Sequence, residues 1–201
     1  MNKRELLRGA LTGATAVGLG STLLSAQAQN APVRIGGSIL LTVSGAIGKG
    51  NRGPSNPALD QMMAKQGISF TKAHVFDFAT LNKLRPVSIT PTLEYDNKPH
   101  TLRGPLLTEV IKATGAQASA QTVLMLRAVD GYTVELGLGE ADQRHFIVAT
   151  HIDHRPMALG GLGPLWAVYD ADNFPDMAAK PVTERFAKCP WALYHIEVKA
   201  G

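Results

Sequence analysis

The second half of the chain contains five short apolar segments with the spacing and length of β-strands. Successive side chains of a strand point to opposite faces of a sheet, so short alternating or wholly apolar runs between turn residues are typical of strands. A chain with this many strands must bury them in sheets, which restricts its fold more than any other feature. The predicted strands span residues 123–127, 132–138, 146–150, 165–169 and 192–198.

The first half of the chain predicts helices and two further strands. An asparagine followed by a proline is a common helix start, which predicts a helix from Asn56-Pro57 to Gly67. An apolar stripe predicts a second helix that begins at Gly104-Pro105 and ends at Gly115. A short helix is also predicted at 77–84, and strands at 38–47 and 87–90. Helices early and strands late in one chain predict the α+β class, mostly β with a few short helices.

The N-terminal residues 1–28 have the pattern of a secretory signal peptide. A basic start precedes the uncharged apolar run 9–24, and Ala26-Gln27-Ala28 is a small-x-small cleavage site. We therefore expect an exported protein that is cleaved near Ala28. Lys3-Arg4 is an imperfect twin-arginine pair, so an ordinary secretion signal and a twin-arginine signal both remain open. An uncleaved membrane anchor is the alternative, although the apolar run is short for a membrane span.

The remainder of the chain predicts a short linker at 29–37 and a single domain at 38–201. The formal net charge of +4 falls to about +2 on cleavage, because three cations and Glu5 leave with the signal peptide. No run of lysine or arginine follows residue 28, so nucleic-acid binding is not expected. Cys189 is the only cysteine, which excludes an internal disulfide and predicts a buried, inert thiol.

Metal binding and hydrolysis have little support in the sequence. His151 and His154, with Asp153 between them, have a spacing that zinc ligands use, but a polar turn is the alternative and no third ligand is evident. The other histidines are scattered, and no G-x-S-x-G motif supplies a nucleophile for them. We therefore expect no bound metal.

A glycine-rich loop leads into a strand with two large aromatic residues at 160–170. Glycines allow a backbone to approach a ligand closely, and a flat heteroaromatic ring can stack on the indole of Trp166. Leu165, Ala167 and Tyr169 are predicted to share one face of the strand, with Trp166 on the other. This pattern indicates a site for a flat ligand; the alternative is a tight connection with Trp166 in the core.

Five segments resemble the sulfite-oxidase-type molybdopterin-binding fold, in the order that the family has them. They include Gly163-Pro164-Leu165-Trp166 and together occupy residues 101–107, 128–135, 147–150, 163–169 and 191–198. The small exported branch of the family, a single domain without haem or dimerisation domains, is the most similar. That branch includes periplasmic pterin-binding proteins that signal to a membrane-bound regulator. The resemblance implies a sulfite-oxidase-like fold and a periplasmic location.

Two departures from the family's enzymes are evident. The enzymes carry a metal-binding cysteine in the loop that corresponds to residues 90–94, and this loop has no cysteine here. The enzymes also have an arginine near the position of Trp166, where it pairs with the charged tail of the cofactor. Hydroxyl and carboxylate groups are poor substitutes for a thiolate at a soft metal site. The resemblance therefore implies a pterin pocket without metal redox chemistry.

These patterns together predict a non-catalytic, periplasmic pterin-binding protein that acts on a signalling receptor in the inner membrane. In this hypothesis Trp166 stacks on the pterin and Arg103 binds an acidic tail. The side chains expected to line the pocket or to accept hydrogen bonds from the ring are Tyr132, Tyr169, Asp130, Glu135 and Asp170. Two alternatives remain: a molybdopterin-dependent oxidoreductase without the usual cysteine ligand, and an interaction module with a vestigial pocket.

Overall fold

The structure is a computed structural model that describes residues 35–199. These residues lie within one compact unit of the chain. The predicted signal peptide, its cleavage site near Ala28 and residues 29–34 of the predicted linker lie outside the described residues. No helix between residues 35 and 199 is both long and apolar enough to cross a membrane.

The described chain is a series of short strands with five short helices between them, and its α+β class is as predicted. The helices are α1 (Gln61–Lys65), α2 (Phe78–Lys83), α3 (Leu107–Ala113), α4 (Leu138–Gln143) and α5 (Pro175–Ala178). The first six strands are β1 (Ile39–Gly45), β2 (Ala73–Asp77), β3 (Pro86–Ile89), β4 (Leu102–Pro105), β5 (Val123–Ala128) and β6 (Thr133–Gly137). The others are β7 (Ile147–Ala149), β8 (His151–Ile152), β9 (Arg155–Pro156), β10 (Trp166–Val168) and β11 (Leu193–Val198).

The strands form three sheets. The largest has the order β2-β1-β11-β5-β6, in which β1 and β11 are parallel and the other pairs are antiparallel. The second has the order β3-β4-β8-β9, and the third contains β10 and β7; both are antiparallel. One main apolar core joins them, and β7 and β10 are buried along their whole length. The coarse fold class is therefore mostly β with a few short helices.

The predicted strands all have counterparts, with bounds shifted by one or a few residues, and so does the predicted helix at 77–84. Its N-cap is Asp77, whose carboxylate accepts a hydrogen bond of 2.7 Å from the backbone N–H of Thr80. Strand β2 was not predicted. It is buried on both faces at Val75, Phe76 and Asp77, so it lacks the polar–apolar alternation that marks a half-buried strand.

Two predicted helix starts are wrong. Asn56 does accept a hydrogen bond from the backbone N–H of Ala58, but it closes a turn, and α1 begins only at Gln61. Gly104 and Pro105 belong to β4 rather than to the helix, which begins at Leu107.

The role of Gly104 is close packing of backbone on backbone. A Cβ placed at this residue would overlap the carbonyl oxygen of Val148 and would lie 2.8 Å from the Cα of Ala149. The missing side chain therefore lets β4 lie directly against β7.

Substitution of Gly104 by alanine is expected to destabilise the protein by roughly 2–3 kcal/mol, because β4 and β7 would have to separate. Urea unfolding followed by circular dichroism measures this loss. Gly53→Ala is the matched control, since a Cβ there meets nothing within 4 Å. Equal stability of the two variants would contradict the packing role of Gly104.

His195 is a fully buried polar residue in the centre of the large sheet. Its Nε2 lies 2.9 Å from Ser44 Oγ and its Nδ1 lies 3.1 Å from Arg127 Nη1. The arginine can only donate, so Nδ1 accepts and Nε2 carries the proton that is donated to Ser44. Burial, and then the positive charge of Arg127, lower the pKa of His195 to about 4. The imidazole is therefore neutral in the folded protein at neutral pH.

His195 should make the protein less stable as the pH falls from about 6.5 to about 4. The unfolded chain takes up this proton near the ordinary pKa of 6.5, whereas the folded chain takes it up only near 4. Above about pH 6.5 this group therefore costs the protein no stability. Between about pH 6.5 and about pH 4 the free energy of unfolding falls by about 3 kcal/mol.

Chemical denaturation at a series of pH values tests this expectation, with His195→Gln as the comparison. The variant should lose part of the pH dependence. Asp153 and Asp96 raise the pKa of His100, so this residue makes the folded state more stable as the pH falls. It does so equally in the unmodified protein and in the variant. An unchanged slope in the variant would show that His195 is not the responsible group.

Candidate functional site

Trp166 lies in the core rather than on a cleft. The residue is 1% exposed, and its indole N–H donates a hydrogen bond of 2.8 Å to the carbonyl oxygen of Cys189. The ring of Phe186 is 6.0 Å away. The strand that was expected to present one face to a ligand is instead enclosed by protein on both faces.

Tyr169 and Asp170 follow Trp166 and are also engaged by the protein. The Tyr169 ring stacks on Phe146 with 4.8 Å between ring centroids, and its hydroxyl donates to the carbonyl oxygen of Arg185. Burial raises the pKa of Tyr169 to about 12. Asp170 Oδ2 accepts a hydrogen bond from the backbone N–H of Thr90, so this carboxylate holds the loop that follows β3.

Glu135 and Arg103 lie on two different sheets. Glu135 is exposed on β6 and pairs with Lys199 at 3.1 Å. Arg103 is exposed on β4. Neither side chain lines the two hollows described below, where other residues of the predicted site lie.

Asp130 and Tyr132 do come together, in the turn between β5 and β6. Asp130 Oδ1 accepts a hydrogen bond of 2.9 Å from the backbone N–H of Tyr132. The tyrosine is 48% exposed, and its hydroxyl donates to the carbonyl oxygen of Ala187 at 2.6 Å. Gly131 between them has a φ of 94°, which favours glycine and makes the turn tight. These two residues form one wall of a surface hollow of about 310 Å³.

Glu94, Tyr95 and Trp191 line the same hollow, together with Thr183, Phe186, Ala187 and Cys189. A second hollow of about 370 Å³ shares Tyr95 and Trp191 with the first and is lined also by Val129, Ala192 and residues 159–162. We call the two hollows together the aromatic groove. The predicted glycine-rich loop is therefore at a cleft, but the tryptophan beside it is Trp191 and not Trp166.

The aromatic groove contains acidic and aromatic side chains. Glu94 and Asp130 are the charged residues among its described lining, which includes no lysine or arginine. Two effects raise the pKa of Tyr95 to about 12: burial of its hydroxyl and then the negative charge of the nearby Glu94 carboxylate. The residue as a whole is nevertheless 55% exposed. The groove therefore presents flat rings and hydrogen-bond acceptors to a ligand.

Sequence reasoning missed Trp191, Tyr95 and Glu94. Glu94 ends the loop 90–94 that follows β3. The loop is held by two carboxylates, since Thr92 N–H donates to Asp172 at 2.7 Å just as Thr90 N–H does to Asp170. Nothing in the residues around Trp191 distinguishes an exposed ring from a buried one.

Cys189 is buried, as predicted, and lies in the wall of the aromatic groove. Burial raises the pKa of its thiol well above the ordinary value. A thiol in this state is a poor nucleophile and a poor metal ligand, because both roles require the thiolate. Within residues 35–199, histidine, cysteine, aspartate and glutamate form no group of three or more that could hold a metal ion.

Comparison with known proteins gives no family assignment: no protein-family model matches the chain, and no curated protein matches its sequence.

Cys189 should react with a thiol reagent at least about tenfold more slowly in the folded protein than in denaturant, because its thiolate population and its exposure are both low. The absorbance of released thionitrobenzoate at mildly alkaline pH measures both rates. Fast reaction of the native protein would contradict the burial of this thiol. The chain has no second cysteine that could contribute to the signal.

Proposed function

We propose that the protein binds a pterin in the aromatic groove and does not catalyse a reaction. The observation that supports this proposal most is the convergence of Trp191, Tyr95 and Tyr132 around two carboxylates. A pterin has a flat bicyclic ring and one edge with amino and imino N–H groups. Aromatic side chains stack on such a ring, and carboxylates accept hydrogen bonds from its N–H edge.

The two carboxylates differ in how they are held. Asp130 uses Oδ1 to accept a hydrogen bond from the backbone, and within the described chain no donor is recorded for its Oδ2. Glu94 lies beside the Tyr95 hydroxyl and lines the same hollow. In this proposal Asp130 Oδ2 receives the ring N–H groups, and Trp191 provides the surface on which the ring stacks. Each hollow has a volume in the range of small-molecule sites, about 310 and about 370 Å³.

The charge of the groove favours a pterin without a phosphate group. A phosphate bound among Glu94 and Asp130 would meet two like charges and no lysine or arginine of the lining. Molybdopterin carries a phosphate, so the same observation weighs against the oxidoreductase alternative. Burial raises the pKa of the Cys189 thiol, which makes it a poor substitute for the missing cysteine ligand, so this alternative would need a different metal ligand.

The proposal includes the biological context that the sequence predicts. The signal-peptide pattern supports a periplasmic location, and the family resemblance supports a role as a sensor for a receptor in the inner membrane. Leu159 and Tyr95 line the groove and are 73% and 55% exposed. A receptor that contacts these residues would sense whether the groove is filled. In the second alternative, a pure interaction module, the groove would bind no small molecule.

The two tryptophans of the chain allow a direct test with a reduced pterin. Trp191→Leu is expected to weaken binding by roughly five- to a hundredfold, the range for loss of one stacking partner. Trp166→Phe is the matched control and should keep the affinity, because Trp166 lies outside the groove. Titration followed by tryptophan fluorescence measures both: the Trp166→Phe protein should retain the quenching, and the Trp191→Leu protein should not.

Three results would contradict the proposal. An unchanged affinity of Trp191→Leu, with loss of binding in Trp166→Phe, would return the stacking role to Trp166. Stoichiometric molybdenum in protein purified from its own cells would favour the oxidoreductase alternative. Absence of pterin binding in the unmodified protein would favour the interaction module.

A further inference from the structure

The second sheet carries a row of polar side chains across three neighbouring strands. Ser88 of β3 is in register with Arg103 of β4, and Arg103 is in register with His151 of β8. Residues directly opposite each other on paired strands point to the same face of a sheet. Ser88, Arg103 and His151 therefore form a continuous row, which we call the Ser–Arg–His row.

This row lies on the outer face of the sheet. The residues that alternate with it, Val87, Ile89, Leu102 and Ile152, are in the main core or packed against it. Ser88 and Arg103 are exposed, and His151 is half-buried. The ring of Phe78 stands at the end of the row, 5.4 Å from the imidazole of His151.

Arg103 differs from four other arginines in its surroundings. Arg52, Arg127, Arg144 and Arg185 each form an ion pair with a carboxylate. No carboxylate within residues 35–199 forms an ion pair with Arg103. Five guanidinium N–H donors are thus available beside a serine hydroxyl and a histidine.

The tautomer of His151 follows from its neighbours. The hydroxyl of Thr150 donates to the carbonyl oxygen of Arg103 at 3.2 Å, so its oxygen is the acceptor for His151 Nδ1 at 2.8 Å. Nδ1 therefore carries a proton in the neutral ring, and Nε2 is the nitrogen that can gain one.

We propose that the Ser–Arg–His row is a binding site for a small oxyanion such as sulfate or a phosphate group. Arg103 supplies the positive charge and two parallel N–H donors, which match the geometry of such an anion. The Ser88 hydroxyl donates a further hydrogen bond, and protonated His151 donates from Nε2. The site is separate from the aromatic groove, whose lining includes none of these three residues.

Binding at this site should involve uptake of a proton by His151. Burial, and then the positive charge of Arg103, lower the pKa of His151 in the free protein. Phe78, the Thr150 hydroxyl and Pro156, which is in register with His151 on β9, are neighbours of His151 that carry no charge. Asp153, two residues away, accepts hydrogen bonds from His100 and from the backbone N–H of Thr101. A bound anion would offset the charge of Arg103 and raise the pKa of His151, so the affinity should increase as the pH falls.

Sulfate is the suitable probe, because its own charge does not change between about pH 5.5 and about pH 8, whereas that of phosphate does. We expect weak binding, on the order of millimolar, that strengthens roughly three- to tenfold from the higher to the lower pH. Histidine NMR of the whole protein at constant ionic strength measures both the affinity and the rise in the pKa of His151. Chloride at the same ionic strength is the reference salt.

Three variants distinguish a specific binding site from nonspecific electrostatic attraction of sulfate. Arg103→Gln should abolish the sulfate response, and His151→Gln should weaken binding and remove its pH dependence. Arg155→Gln removes the same charge from the same sheet, but Arg155 is in register with Ile152 rather than His151, and it should leave binding unchanged. Equal losses in Arg103→Gln and Arg155→Gln, or no shift of the His151 resonance with sulfate, would overturn the proposal. Binding of phosphate monoesters but not of free sulfate would support a site for a phosphate group that is carried by a larger ligand.

Discussion

The position of the aromatic groove depends on the seam between β10 and the segment 189–193. Trp166 N–H donates to the carbonyl oxygen of Cys189 in the buried core, and Trp166 also forms a backbone bridge with Trp191. The backbone N–H of Leu193 donates to Leu165, and that of Ala192 donates to Leu162. A buried indole N–H without a partner is costly, which accounts for the hydrogen bond to Cys189. The backbone hydrogen bonds on either side of Trp191 hold the segment 189–193 against β10 and so place Trp191 at the groove.

The same seam explains why the two tryptophans have different roles. β10 is three residues long and wholly buried, so neither of its faces is open to solvent. In the segment 189–193 that pairs with it, Trp191 is only partly buried, whereas the other four residues are buried. A ring in the core stabilises the fold through its contacts, whereas a ring at the edge of a hollow can contact a ligand. This division supports a ligand site made from the loop 90–95, the turn 130–132 and Trp191.

Opposite charges distinguish the two proposed sites. The aromatic groove is lined by Glu94 and Asp130 without lysine or arginine, whereas the Ser–Arg–His row presents Arg103 without a carboxylate partner in the described chain. A ring with N–H donors suits the first, and a small anion suits the second. Because a carboxylate-lined site repels anions and a guanidinium attracts them, each site selects against the ligand of the other. The modest net charge of the chain hides this local separation.

The sequence by itself determined the α+β class, the predicted strands and the helix that Asp77 caps, because these depend on local alternation and on hydrogen bonds between near neighbours. Of the residues in the predicted site, Asp130 and Tyr132 lie in one turn because they are two residues apart in the sequence. Only the tertiary structure decided that Gly104 allows two strands to touch, that β2 exists, and that Trp191 rather than Trp166 faces a hollow. A strand buried on both faces has no alternation from which to infer an open side. The pairing of distant segments, such as 189–193 with β10 or Arg103 with His151, is set by packing and not by spacing along the chain.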